Sequence, residues 1–480
     1  MLKQSFVGVG AVVLVAWVLT AQNPAGPVID SALQALGSHD LKTMQFSGSG
    51  AEFCLGQQYS STSGWPKFNL ADYTRVINFD GPASRQTAKR SQSQPMSGGC
   101  GSPVADSNQQ SFIAANAPWA QKLEILLTPQ GFLKYAAGHN PALVTRKVGK
   151  QAYNVVSFKE GKYTMNGYID AKTNLLDRVE TWLENPLQGD MLVEAKFSDY
   201  KDFSGLKFPA HLVQSRGGFP VLDLAITDAK ANVEANLQPP APKGGGKGGA
   251  QKKGGPGGPP APPTTEIQKL GDGVYLLTGA YQSVAVEFKN YVAIWEASSE
   301  ARAAEVIAKV RETIPNKPIR YAIFSHSHSD HTSGVGTLVA EGITIIAHRN
   351  NKPFFDSALA APRTLLEGDK MAASGKKPKF EWVGDKKVLS DGKQVVELYL
   401  VKGNIHDNGN LMMYLPKLKI LVESDVYNYT APNDYVHPWH ANFLENVERL
   451  KLDVDRVIPT HAPPMGRVVT MADVRASVKK

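Results

Sequence analysis

Cysteine is almost absent from this chain: two residues, Cys54 and Cys100, in 480. Structural zinc sites are usually closed by four ligands, often with Cys among them, and this sequence has little to offer one. A single pair in an exported protein suggests one disulfide. Both cysteines lie far in sequence from every other candidate site residue, so a thiolate metal ligand is not expected. No Ser or Cys nucleophile is evident. No Gly-Lys-Ser/Thr phosphate loop occurs. The formal charge is +8, but Lys243, Lys247, Lys252 and Lys253 supply half of it from a stretch with no acidic residue. The basic balance therefore says little about folded parts, and no motif supports nucleic-acid binding. Histidine is also scarce, at eleven residues, which makes its distribution informative.

A length of 480 and a hydrophobic content of 42% predict two or more packed domains. Lys3, the apolar stretch Phe6 to Leu19 and then Thr20-Ala21 follow the order of a secretory signal, residues 1–21. An uncleaved anchor is the alternative. No Cys follows the stretch, so no lipoprotein anchor is indicated. The expected location is periplasmic or secreted, with membrane contact only through this segment. Residues 239–265 are nearly all Gly, Pro, Ala and Lys. Such a composition cannot bury enough apolar surface to offset chain entropy, and it reads as a flexible linker. Residues 28–238 show alternating runs, among them Tyr73 to Phe79, Tyr153 to Phe158, Tyr163 to Asp170, Leu192 to Phe197 and Val221 to Ile226. Helical signals there are few, Pro27 to Leu36 and Pro129 to Ala137. The region reads as a mostly antiparallel β domain. Residues 266–480 instead alternate strand-like runs with amphipathic segments such as Ser299 to Ile314, the pattern of layered sheets flanked by helices. The fold class expected is α+β multidomain.

Three of the eleven histidines fall within six residues, in His326-Ser327-His328-Ser329-Asp330-His331, directly after the apolar run Tyr321 to Phe324. Imidazole nitrogen and carboxylate oxygen are the usual ligands of zinc and its neighbours. If the run is a strand ending in a tight loop, His326 and His328 point the same way, because side chains alternate on extended backbone. Asp330 and His331 then lie past the turn and can face a second ion. Downstream, His406, Asp425 and His461 each follow a β-like run. Singly, a loop His is usually solvated and a strand-end Asp is often a helix cap. Together, in this order, they form a candidate metal site.

That order, His-x-His-x-Asp-His followed by His, Asp and His, resembles the metallo-β-lactamase superfamily of hydrolases over residues 266–480. The resemblance implies an αββα sandwich. It implies a first metal on His326, His328 and His406, and a second on Asp330, His331 and His461, with Asp425 bridging. Asp330 would also orient the attacking hydroxide, as the catalytic residue. The bridging Asp makes the set similar to the glyoxalase II type. Ser333 and Ala462 stand where the family often has Gly, and could alter the pocket floor. Two divalent ions are implied, zinc first, with iron or manganese as alternatives. Residues 28–238 are similar in strand pattern to periplasmic lipoprotein-carrier half-barrels. That implies an apolar ligand; a scaffold or a domain that docks a protein partner is the other reading.

His348 follows a strand-like run but holds no ligand position in the family pattern; a role behind the ligands or at the surface is expected. His437 and His440 are expected to line the substrate pocket or to sit in a surface loop. The function expected is an exported hydrolase acting on a small-molecule ester, thioester or related substrate. The alternatives are a mononuclear-iron sulfur oxygenase of the same fold, a β-lactam hydrolase, or a binding protein with a structural metal.

Overall fold

The computed structural model describes residues 25–100, 105–235, 237, 265–429 and 438–478. The expected signal segment 1–21 and, apart from Thr265, the expected linker 239–265 lie outside them, as does His437.

Residues Thr43 to Ala231 form one open sheet of eleven strands, all antiparallel, with edges at Ser107–Ile113 and Ala142–Val148. The alternating runs are strands as expected: Tyr163–Asp170 matches its predicted bounds, and Gln151–Glu160 and Phe219–Ala231 contain theirs. Helices Gly26–Ala35, Trp119–Leu126 and Pro129–Ala137 pack on one face. Ile29, Leu33, Leu123, Phe132 and Leu133 there meet Val156, Phe158, Met165 and Val193 of the sheet. Thr128 caps the third helix by accepting from the Gly131 N–H, and Pro129 occupies its first turn. The second helix escaped the sequence reading. It has only eight residues, follows Pro118 and carries no side-chain cap.

The remainder is a four-layer αββα sandwich. Its first sheet has seven strands in sequence order from Ile267–Gly271 to Phe380–Val383, and its second has six from Lys386–Ser390 to Val469–Thr470. Their inner faces share one core, in which Trp295, Ile323 and Ile346 of the first sheet meet Leu398, Met413 and Val422 of the second. Helix Glu300–Thr313 covers the outer face of the first sheet through Ala303, Val306, Ile307 and Val310. Ser299 caps it, Glu300 opens it and Arg311 lies in its last turn, each complementing the helix dipole. Helices Pro438–Arg449 and Met471–Ser477 cover the second sheet.

Strand direction positions the site. Val292–Trp295 runs parallel to Ile319–Ile323, with Trp295 opposite Ile323. Ile420–Glu423 runs parallel to Arg456–Pro459, with Glu423 opposite Pro459. Parallel pairs place their C-terminal ends together, so Glu296 emerges beside the 324–331 loop and Asp425 beside His461. Trp295 Nε1 donates to Thr460 Oγ1 at 3.0 Å, tying these two ends across the sandwich.

The two halves also touch. Hairpin residues 186–190 of the large sheet dock on residues 362–365. There the Asp190 N–H donates to the Pro362 carbonyl, and the Asp190 carboxylate accepts from the Thr364 and Leu365 N–H groups. Arg363 pairs with buried Asp369 and donates to the Pro186 carbonyl at 2.6 Å. A second contact, residues 54–59 against the His-rich loop, is described below.

Candidate metal centre

All seven residues singled out in the sequence converge. One donor group contains His326, His328, His406 and Asp425; another contains Asp330, His331, Asp425 and His461; in each, the donor atoms lie within 4.8 Å of one another. Asp425 belongs to both. Its Oδ2 lies 3.1 Å from His331 Nε2 and 3.1 Å from His406 Nε2, and its Oδ1 lies 2.8 Å from His461 Nε2. Asp330 and His331 sit on the single turn Ser329–Thr332, which carries them past His326 and His328.

Backbone conformation serves this convergence. Asp425 has φ +60° and Glu296 φ +55°. Such left-handed conformations cost non-glycine residues on the order of 1–2 kcal/mol and cluster at functional sites. Each lies just past the end of a strand, where the chain must turn a carboxylate inward.

Two supports emerge that sequence reasoning missed. Glu296 is 1% exposed. Its carboxylate accepts from Ser325 Oγ, from Ser424 Oγ at 2.7 Å and from His331 Nδ1 at 2.8 Å. That bond leaves His331 Nε2 aimed at Asp425. Asp407, also buried, accepts from the Ser327 hydroxyl at 2.8 Å and from the Gly409 N–H at 2.6 Å, pinning the two ligand loops together. A carboxylate one residue past an apolar run was the available signal for Glu296. Asp425 carried a further signal, its place in order between His406 and His461.

Burial and neighbouring charges divide the cluster's histidines. Burial, and then the rings of His328, His331 and His406, hold the His326 pKa well below the ordinary histidine value. Burial pulls His328 down to about 3. For Asp425 burial pushes the other way, but the imidazoles of His331 and His461 outweigh it and hold the carboxyl well below the usual range. Burial would lower His331 too, yet the carboxylates of Glu296, Asp425 and Asp330 raise it well above its ordinary value. Neutral His326 and His328 and ionised Asp425 are already in the form a divalent ion binds, whereas His331 and His461, shifted up by neighbouring carboxylates against the effect of burial, would release a proton on binding one. The Nδ1 of His328 and the Nδ1 of His406 are buried without a hydrogen-bond partner, and His326 Nε2 faces His406 Nε2 at 3.3 Å. At that distance the two nitrogens share either a proton or a cation. The residues present therefore fit a bound metal.

His348 lies outside both donor groups. It is buried, not at the surface, and its Nδ1 accepts from the Asn350 N–H. His440 is buried in helix Pro438–Arg449; its Nε2 accepts from the Asn428 N–H, and its Nδ1 pairs with the Ser477 hydroxyl. Its neighbour Trp439 lines the pocket instead, with its ring 4.5 Å from that of His406.

A cavity of about 560 Å³ opens over the donor groups, reaching Asp330, His406, Asp425 and His461. Its opposite wall comes from the large sheet's half of the chain: Cys54, Leu55, Gln57 and Cys100. Cys54 and Cys100 form a disulfide, with Cα atoms 6.3 Å apart. The expectation that the cysteines lie far from the metal motif is thus corrected. Sequence distance is no guide to spatial distance where two sheets dock.

Residues 278–411 match the family model described as metallo-beta-lactamase superfamily. His326, His328, Asp330, His331 and His406 fall inside the match; Asp425 and His461 lie beyond it. The 2,4-dinitroanisole O-demethylase subunit alpha of Nocardioides sp. (strain JS1661) is 25% identical over 206 residues, 41% of this chain and 56% of that protein. The chain therefore spans little more than half the length of that relative. Among solved structures, a metallo-beta-lactamase from Pontibacter korlensis is 16% identical, covering 45% of this chain and 97% of its own, with a TM-score of 0.35. One from Hirschia baltica is 19% identical, covering 44% and 95%, with a TM-score of 0.34. On the family match and the two-sheet architecture that carries it, the C-terminal part of this chain belongs to the metallo-beta-lactamase superfamily.

Proposed function

We propose that the chain is an exported, dinuclear metal-dependent hydrolase acting on an ester, thioester or related small molecule. The observation that carries this reading is Asp425, shared between two donor groups that each hold three further ligand residues. His326, His328 and His406 would hold one ion; Asp330, His331 and His461 would hold the other. When bound, a pair of divalent cations supplies a water of lowered pKa and polarises the substrate's acyl oxygen. The chain's own part is to hold the donors rigidly and shape the cavity. Glu296 orients His331, and Asp407 fixes the His406 loop to Ser327. Asp330 keeps one oxygen on the Tyr281 hydroxyl at 3.1 Å, which sets the carboxylate plane at the cavity floor. Zinc is the first expectation, with iron or manganese as alternatives. The Cys54–Cys100 disulfide supports a periplasmic or secreted location.

The test is elemental analysis of purified protein, followed by a panel of thioester, lactone, phosphoester and β-lactam substrates. 2,4-Dinitroanisole, named for the relative, joins the panel. Two ions per chain and turnover of an acyl substrate are expected. A single iron per chain with oxygen-dependent turnover would replace this reading with the oxygenase one.

A further inference from the structure

The N-terminal half reaches into the metal centre at a point the hydrolase reading does not use. The Gln58 main-chain carbonyl lies 2.9 Å from His328 Nε2. A carbonyl only accepts, so Nε2 carries the proton of the neutral ring. Nδ1 is then left with its lone pair, and it is the buried nitrogen without a hydrogen-bond partner. Next to it, the Gln57 side-chain amide donates to Asp330 Oδ1 at 2.6 Å. That amide is itself oriented, because Gln57 Oε1 accepts from the Cys100 N–H at 3.1 Å and the Gln57 carbonyl accepts from the Gly99 N–H at 2.9 Å. Three further bonds seat the segment: Ser329 N–H to the Gly56 carbonyl, Asn408 N–H to the Tyr59 carbonyl and Gln58 Nε2 to Ser327 Oγ. The packing leaves no slack. A methyl group at Gly99 would fall 1.8 Å from Gln57 Oε1 and 2.9 Å from the His328 ring.

We infer that the disulfide-tied segment 54–59 of the sheet domain is a working part of the metal centre, with Gln57 and the Gln58 carbonyl as positioning groups for Asp330 and His328. This rests on the dinuclear reading above. Groups that orient a ligand from behind govern metal affinity as well as geometry. Here those groups come from the half of the chain outside the family match. Leu55 and the disulfide complete the arrangement as the cavity wall facing Trp439, so the same segment that holds the ligands also limits what lies over them.

The experiment uses the full chain. Wild type, Gln57→Ala and Gly99→Ala are titrated with Co²⁺ while the d–d absorption is recorded, and with Zn²⁺ against a competing chelator. Thermal melts run in parallel. Gln57→Ala is expected to bind one of the two ions about 10–100-fold more weakly and to change the cobalt spectrum. Gly99→Ala perturbs the same ligands from the other side and should change the spectrum as well. It serves as the probe if Gln57→Ala does not fold. Variants with wild-type affinity and spectrum, whatever their melting temperatures, would overturn the inference while leaving the hydrolase reading intact. A wild-type protein that takes up no divalent cation would overturn both.

Discussion

Glu296→Gln removes one charge at nearly constant shape from a site where nothing else can replace it. The carboxylate is buried and receives three donors: Ser325 Oγ, Ser424 Oγ and His331 Nδ1. Glutamine offers one carbonyl oxygen and one NH₂ in its place. The serine hydroxyls can rotate and accept from the NH₂, but an imidazole N–H cannot. His331 therefore keeps a neutral acceptor or loses its acceptor. A hydrogen bond to a charged group contributes roughly 1.5–3 kcal/mol and a neutral one roughly 1, so the loss is about 1–2 kcal/mol. That is about 5–30-fold in affinity for the ion that His331 would hold, overlapping the roughly 10–100-fold effect of removing such supports elsewhere. The assay is competitive zinc titration of the full chain at neutral pH, with circular dichroism to confirm the fold. An unchanged zinc affinity in a folded variant would refute the assignment of Glu296 as the group that orients His331.

Three further outcomes are expected. Asp425→Ala should lower the metal content of purified protein well below two ions per chain and suppress hydrolysis; two full equivalents by elemental analysis would remove its shared role. Burial holds His348 and His440 at about 4, below the ordinary histidine value. A folded pKa below the unfolded one gives stability that is complete above about pH 6.5 and is lost as pH falls toward 4, on the order of 3 kcal/mol for each residue at the low end. Urea midpoints should therefore fall between pH 7 and pH 5, and less so in His348→Gln/His440→Gln; equal slopes in the two proteins would contradict the buried-neutral assignment. The Cys54–Cys100 pair closes a separation of 46 residues, worth about 4 kcal/mol in the chain-entropy model. Cys54→Ser/Cys100→Ser should melt lower and, because the pair anchors the segment that holds Asp330 through Gln57, bind zinc more weakly; unaltered zinc binding would separate the disulfide from the site.

The converging His/Asp cluster was legible because its signals are local. His326, His328, Asp330 and His331 share six residues, and His406, Asp425 and His461 each follow an apolar run that became a strand. The sandwich was legible from alternating strands and amphipathic helices. Glu296 was not, since one acid after one strand looks like many others until parallel pairing sets it beside His331. Helix Trp119–Leu126 was too short for its periodicity to register. Gln57 and Gln58 carry no pattern at all. Their meaning comes from a docking between segments separated by 273 and 270 residues, and no spacing within either segment announces it.

The docked hairpin at 186–190 does not hold the two halves by itself. It and segment 54–59 grip the sandwich at two places, at residues 362–365 and at the His-rich loop. Two separated grips remove the pivoting that one would leave. Once both are made, the described halves hold their relation through these contacts alone. Natural variants should therefore keep Asp190, Arg363 and the 54–59 segment fixed together, since losing either grip frees the rotation that the other cannot block.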